Sequence, residues 1–265
     1  MVATAGSGPA ASLPEVVAPP PRPRGGPVSD RGTVVHDEVR SIRWKLRGIA
    51  KVVHDVDVGA GDLRGTVVVG GPLLADELRL DGSLEVRGPV AVARRLRAQG
   101  SVDAGGNLRA AEAIVVGKLR VLGELELDGA SRLRGTVRAG EIRAGPLELR
   151  GDVRVPGPIA AARFDATLSA GSRLGELRAT ELRLRGPAPN LVRRVLGPEA
   201  PVTVTRVEAE TAALAGVRVG FVKAREIVLG PDAHVATVEG TVVRQHPTAR
   251  LGPESWTPPP EGLRR

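Results

Sequence analysis

The 265-residue chain contains no cysteine and no tyrosine, and it has only one methionine, two phenylalanines and two tryptophans. Without thiols, disulfide scaffolds, thiol catalysis and Cys-ligated metal or iron–sulfur sites are excluded. Globular cores use aromatic rings to fill the irregular gaps where their elements cross. Here Val, Leu, Ile and Ala must do that work, which argues for a core of thin, repeated cross-section. Long apolar runs are also missing. No stretch approaches the roughly 18 residues that span a membrane, and the N-terminal segment lacks the basic-then-apolar order of a secretory signal. Glycine (34) and proline (22) are plentiful, and 42% of the chain is hydrophobic. Glycine has no strict period of three, which excludes a collagen-like chain, and the apolar content excludes a wholly disordered one.

The formal net charge is +8, from 38 basic and 30 acidic residues. All but four of the basic residues are arginine, spread at nearly even intervals without a run of five like charges. No aromatics are interleaved for base stacking. Evenly spaced arginines on strand faces read as a solvated surface, so nucleic acid is not the expected partner, although any polyanion would be attracted.

An internal repeat decides the fold. Leu78, Leu84, Val90, Leu96, Val102, Leu108 and Ile114 follow at six-residue steps. Two positions after each stands a second aliphatic or small residue: Leu80, Val86, Val92, Ala98, Ala104, Ala110 and Val116. Strand side chains alternate, so each pair points to one face. The positions between hold Gly, charged residues, Ser, Asn or Pro, which suit bends and solvent. A period of six fits a β-solenoid in which each hexad forms one side of a triangular coil. Ala75–Val92 aligns with Ala93–Ala110, matching Leu78/Leu96, Arg79/Arg97, Gly82/Gly100 and Ser83/Ser101. One coil is therefore three hexads, about 18 residues. Ala111–Leu119 restarts the pattern with one residue deleted, and Val207–Val222 and Val222–Val238 read as shorter coils. Val53–Val69 reads as the same architecture in less regular form, and about seven coils are expected before residue 187, a rod somewhat over ~30 Å long.

The expected fold is thus all-β: a single-stranded parallel β-helix with disordered tails. Residues 1–33 form a Gly/Ala/Pro-rich tail and 34–186 the main β-helix. Residues 187–201 form a loop or short helical interruption, 202–251 the C-terminal coils, and 252–265 a second tail. Hexads alone suit either hand of coil; the right-handed bias of parallel crossovers favours the right-handed form.

Chemistry-bearing motifs are sparse. Gly59–Gly65 lacks the spacing and the βαβ surroundings of a dinucleotide loop and reads as a bend. Gly117-Lys118 lacks the rest of a phosphate-binding loop. His36 and His54 are eighteen apart and could stack on successive coils, but no third ligand accompanies them. Hexapeptide-repeat acyltransferases, the enzymatic alternative, form trimers and need a His base at the subunit interface. The stretch from Leu78 to Val155 has no histidine. No catalytic, cofactor or metal residue is therefore assigned.

The run Leu78–Gly88 (Leu-Arg-Leu-Asp-Gly-Ser-Leu-Glu-Val-Arg-Gly) resembles the coil consensus of the bactofilins, the polymer-forming cytoskeletal proteins. Val222–Val235, then Val238-Glu239-Gly240 and His246–Leu251, is similar to it more closely, so the resemblance covers residues 50–251. It implies a right-handed β-helix flanked by disordered tails. It also implies nucleotide-independent assembly into cytoplasmic filaments, with the chain itself as partner. The inner membrane surface and tail-recruited proteins are further partners. End coils of a solenoid expose unpaired backbone groups around an apolar cross-section. Ser41–Arg47 is expected to cap the N-terminal end partially, so C-terminal faces should associate. Phe221, Val222, Val235 and Val242 are the expected end-face residues. The remaining alternative is a monomeric β-helical scaffold binding an anionic partner.

Overall fold

The computed structural model describes residues 24–187 and 200–253. The expected N-terminal tail up to residue 23, most of the 187–201 interruption, and the C-terminal tail from residue 254 lie outside these residues.

Thirteen strands follow in chain order: β1 (Val28–His36), β2 (Val39–Val52), β3 (Val56–Val69), β4 (Leu73–Val86), β5 (Val90–Ala104), β6 (Leu108–Leu127), β7 (Ser131–Val155), β8 (Ile159–Leu168), β9 (Arg173–Arg185), β10 (Val202–Ala215), β11 (Val217–Leu229), β12 (His234–Gln245) and β13 (Arg250–Leu251). Each pairs in parallel with the next in one continuous sheet, and β7 also pairs with β9. The result is a β-solenoid of about 12 turns with about 17 residues per turn. At ~4.8 Å per turn the rod is about 55 Å long. It is longer than the sequence suggests at the N-terminal side. β1 begins at Val28, inside the stretch assigned to the tail, and Val53–Val69 belongs to a regular coil.

Every coil turns three pairs of side chains inward. In the coil beginning at Leu73 they are Leu73/Ala75, Leu78/Leu80 and Leu84/Val86, all buried. The same three positions recur along the chain. The first face stacks Val39, Val56, Leu73 and Val90; the second Leu46, Leu63 and Leu80; the third Val52, Val69 and Val86. Buried aliphatic side chains of this kind each contribute roughly 1.5–3 kcal/mol. Coils differ by a residue or two, and corners absorb the difference. Ala93 and Arg94 bulge out between the first and second faces of β5, whereas the corresponding corner of β6 is shorter. The six-residue step therefore breaks after Leu108. Ala113 and Val115 take the inward positions, and Ile114 and Val116, expected inside, point to solvent.

The corner between the second and third faces is a column of glycines. Gly48, Gly65, Gly82, Gly100 and Gly117 pair successively across coils, all with positive φ. At Gly82, φ is 137°, and a Cβ there would overlap the carbonyl oxygen of Gly65 in the coil below. Stacking and handedness of the turn both demand glycine here. The 187–201 insertion joins Leu184 on the second face to Val202 on the third, so in sequence it falls at this same corner.

The two buried rings have local explanations. Trp44, fully buried, pairs across coils with Gly61, where a Cβ would meet Leu78 Cδ1 of the next coil at 2.7 Å. The 59–65 stretch is thus not a bend throughout: Gly59 and Gly65 stand at corners and Gly61 faces the core between them. Phe164 sits between Leu147 and Leu182. Three buried serines close irregular corners. Ser131 Oγ accepts from the Ala113 N–H at 3.0 Å, Ser172 Oγ from the Val153 N–H at 3.1 Å, and Ser41 Oγ donates to the Gly26 carbonyl at 2.6 Å.

The glycine column generates a stability prediction. Gly82→Ala should lower the free energy of unfolding by about 2 kcal/mol or more, through overlap and a strained φ. Gly26→Ala, where a Cβ meets nothing within 4 Å, should be nearly neutral. Urea denaturation followed by circular dichroism compares the two.

Candidate functional site: the two ends of the rod

A solenoid satisfies its backbone internally except at its ends, so the ends are where function and aggregation risk concentrate. The two ends of this rod are built differently.

At the N-terminal end, β1 stacks on β2 with Asp30 over Leu46, Val34 over Ala50 and His36 over Val52. Two of the inward positions of the first coil are thus polar. Trp44 Nε1 donates to Asp30 Oδ2 at 2.9 Å, and His36 Nε2 lies 2.8 Å from the same oxygen. The His36 and Trp44 rings meet edge to face at 6.3 Å. This is a hydrogen-bonded lid over the aliphatic column, one coil before the Ser41–Arg47 segment expected to cap it; Ser41, Trp44 and Leu46 are core. The histidine ladder does not form: His36 pairs with Val52, and His54 lies 3.5 Å from Asp37. The chain before β1 is fastened down the side of the rod by Arg24. Its Nε is 2.7 Å from Asp57 and its Nη1 2.7 Å from Asp76, two coils further along. Hydrogen bonding to Asp76 and Asp57 raises the guanidinium's affinity for its proton further above its ordinary value.

The C-terminal end is more apolar. β12 continues the inward columns with Val235 over Val219, Val238 over Val222 and Val242 over Ile227. β13 covers only the third face, where Leu251 pairs with Val235 and remains 46% exposed. Asp232, with φ of 55°, turns the chain into β12, and its N–H donates to Thr248 Oγ1 at 3.0 Å, tying down the last turn. Gln245 takes the inward position over Leu229 and donates to the Ala249 carbonyl at 3.3 Å. Among the described residues no strand pairs with the outer edge of β12 beyond Val235, and Val238 and Val242 are only half-buried there.

The four expected end-face residues separate. Val242 lies on the end. Val222 and Val235 are fully buried, covered by Val238 and Leu251. Phe221 points out of the side of the rod, beneath the Arg206 guanidinium at 4.9 Å from its centroid. The sequence reading missed Val238 and Leu251 as end residues, and Asp30 as the cap. Their signal is positional: each occupies an inward place in the first or last coil.

The rod's sides offer shallow surfaces. An open groove runs over Ala144, Ala161, Ala179 and Ala209 between Arg143, Arg178 and Glu208. Among the described residues, no group of three or more His, Cys, Asp or Glu could hold a metal ion, and no helix is long and apolar enough to cross a membrane. A scan of protein-family models, a search of curated proteins and a search of solved structures each return no match.

Two measurements test this description. Asp30→Ala strands the Trp44 N–H under the lid and should cost about 1–3 kcal/mol. Hydrogen exchange should show β1 and β2 losing protection first. His234, on the third face, is disfavoured as a cation by burial and by the charges of Arg218 and Arg250. Its NMR midpoint should fall below 6.5 and rise in Arg218→Gln. Because the folded state disfavours the proton, this ring contributes stability at higher pH that is lost as pH falls through the 6.5 region and below.

Proposed function

We propose that this chain is a bactofilin-like structural protein that assembles end to end, without nucleotide, into cytoskeletal filaments or scaffolds. It needs no catalytic centre or cofactor for this role, and its principal partner is a second copy of itself. The observation that carries the reading is the asymmetry of the ends. The C-terminal coil presents an open β12 edge beside Val238, Val242 and Leu251, whereas the N-terminal coil is closed by the Asp30–His36–Trp44 lid. The consensus-like runs Leu78–Gly88 and Val222–Val235 form ordinary stacked coils of the rod, which is where a bactofilin resemblance requires them.

The C-terminal ends pair first. Two β12 edges that meet through a two-fold axis supply each other's missing hydrogen bonds and bury the valines. The lid covers the aliphatic column but leaves the outer backbone edge of β1 without a strand partner among the described residues, and through this polar edge the pairs join into longer polymers.

Electron microscopy of the purified full-length protein without nucleotide should show filaments or sheets. Val242→Asp places a charge on the end face, at a half-buried position over Ile227. It should reduce sedimenting polymer at least tenfold while leaving the circular dichroism spectrum unchanged. A wild-type protein that stays monomeric, or forms a closed trimer at every concentration, overturns the reading.

A further inference from the structure

The third face carries a second feature. Between its inward pairs each coil points one central side chain outward, and from β6 onward that column reads Arg120, Arg138, Arg154, Arg173, Thr203, Arg218, His234 and Arg250. Backbone pairing stacks Arg120 on Arg138, Arg154 on Arg173, Arg173 on Thr203, Thr203 on Arg218, Arg218 on His234 and His234 on Arg250. Arg138 and Arg154 occupy the same place in successive turns of β7, between Val137 and Ala139 and between Val153 and Val155. Seven coil steps make a straight line about 34 Å long.

Much of this row lacks the acidic partners that the first face has. On the first face arginines meet acids from neighbouring coils, with Arg143 and Glu124 at 2.9 Å and Arg178 and Glu208 at 3.5 Å. On the third face Arg120 lies 3.6 Å from Asp103 and Arg154 3.7 Å from Asp152. Arg138, Arg173, Arg218 and Arg250 have no acidic partner within 4.0 Å among the described residues. Arg79, Arg97 and Arg183 on the second face likewise have no acidic partner within 4.0 Å among the described residues; the third face differs in continuing its column over seven coils. The mutual field of the row shows at His234, where Arg218 and Arg250 both oppose protonation.

We propose that this face docks the rod lengthwise on an anionic lipid surface. A straight, planar array of guanidiniums matches a plane of phosphate headgroups, whereas the phosphates of a nucleic-acid duplex curve away from a flat β-face. On one flank the outward positions Gly140, Pro156, Gly175, Thr205 and Gly220 are small or uncharged; on the other stand Asp152, which meets Arg154, and Asp232, two acids among a majority of uncharged residues. Leu122, on the same face as Arg120 and 59% exposed, sits where a side chain can enter the boundary beneath the headgroups. The column's one ring is the half-buried His234 imidazole, so the row has no series of aromatic platforms for successive bases. The inference does not require polymerisation, although a filament would multiply the contact.

The test is co-sedimentation of full-length protein with vesicles of phosphatidylcholine containing phosphatidylglycerol, against vesicles of phosphatidylcholine alone. Binding should require phosphatidylglycerol and disappear at high salt. Each arginine lost should weaken it about fivefold, so Arg138→Gln/Arg173→Gln/Arg218→Gln should lose over a hundredfold. Arg79→Gln/Arg97→Gln/Arg183→Gln, on the second face, should bind nearly as wild type does. Repeating the comparison in the Val242→Asp background keeps docking separate from assembly. Equal loss in both triple variants overturns the proposal, as does salt-insensitive binding to phosphatidylcholine alone. So does a wild-type protein that shifts duplex DNA but ignores phosphatidylglycerol.

Discussion

Everything in this molecule depends on parallel backbone pairing between one coil and the next. Each residue hydrogen-bonds to a residue about seventeen positions away, so a chemical choice made once is repeated along a line. Aliphatic pairs become three continuous columns, and turn glycines become one column whose members cannot carry a Cβ without striking the carbonyl below. Arginine opposite glutamate becomes a rung of ion pairs, and arginine opposite arginine a charged rail. Surface ion pairs contribute little individually, so the alternation on the first face matters less for stability than for removing charge from that side. The third face, without it, keeps its field.

The same pairing creates the problem at the ends. An interior coil is satisfied on both sides; a terminal coil is satisfied on one. The N-terminal end answers with polar side chains in inward positions, where Asp30 accepts from the Trp44 indole and contacts His36. The C-terminal end answers with only a short β13 over one of three faces and leaves Val238 and Val242 at the surface. A chain that closes one end and leaves the other apolar is suited to association through the open end. That logic joins the fold to the proposed structural role.

Much of the fold was legible because a six-residue apolar period has few structural solutions. The inward pairs from Leu78/Leu80 to Leu108/Ala110 stand where alternation puts them. The reading failed where geometry at a corner outweighed the count. The corner at Ala111, one residue shorter than the Ala93–Arg94 corner of the coil before, slips the phase, so Ile114 and Val116 face solvent although they sit on the six-residue grid. Gly61 looks like a bend because glycine usually is one; it faces the core in a strand, where the Leu78 side chain of the next coil fills the place a Cβ would take. Phe221, Val222 and Val235 were attractive as end residues because they are apolar and late in the sequence. One is turned outward against Arg206, and the other two lie one layer below the end.

The sequence by itself determined the core. Alternating aliphatic pairs with glycine at fixed intervals admit a stacked coil and little else, since both requirements are local and repeat. It did not determine where the charge goes. Its arginines are spaced evenly along the chain and look dispersed, yet spacings of sixteen to nineteen residues bring them to one point of successive turns. The column continues past the insertion between Arg173 and Arg218, because Thr203 pairs with both. Only stacking converts an even distribution in sequence into a line in space, because the coil length, corner by corner, decides which residues share a column.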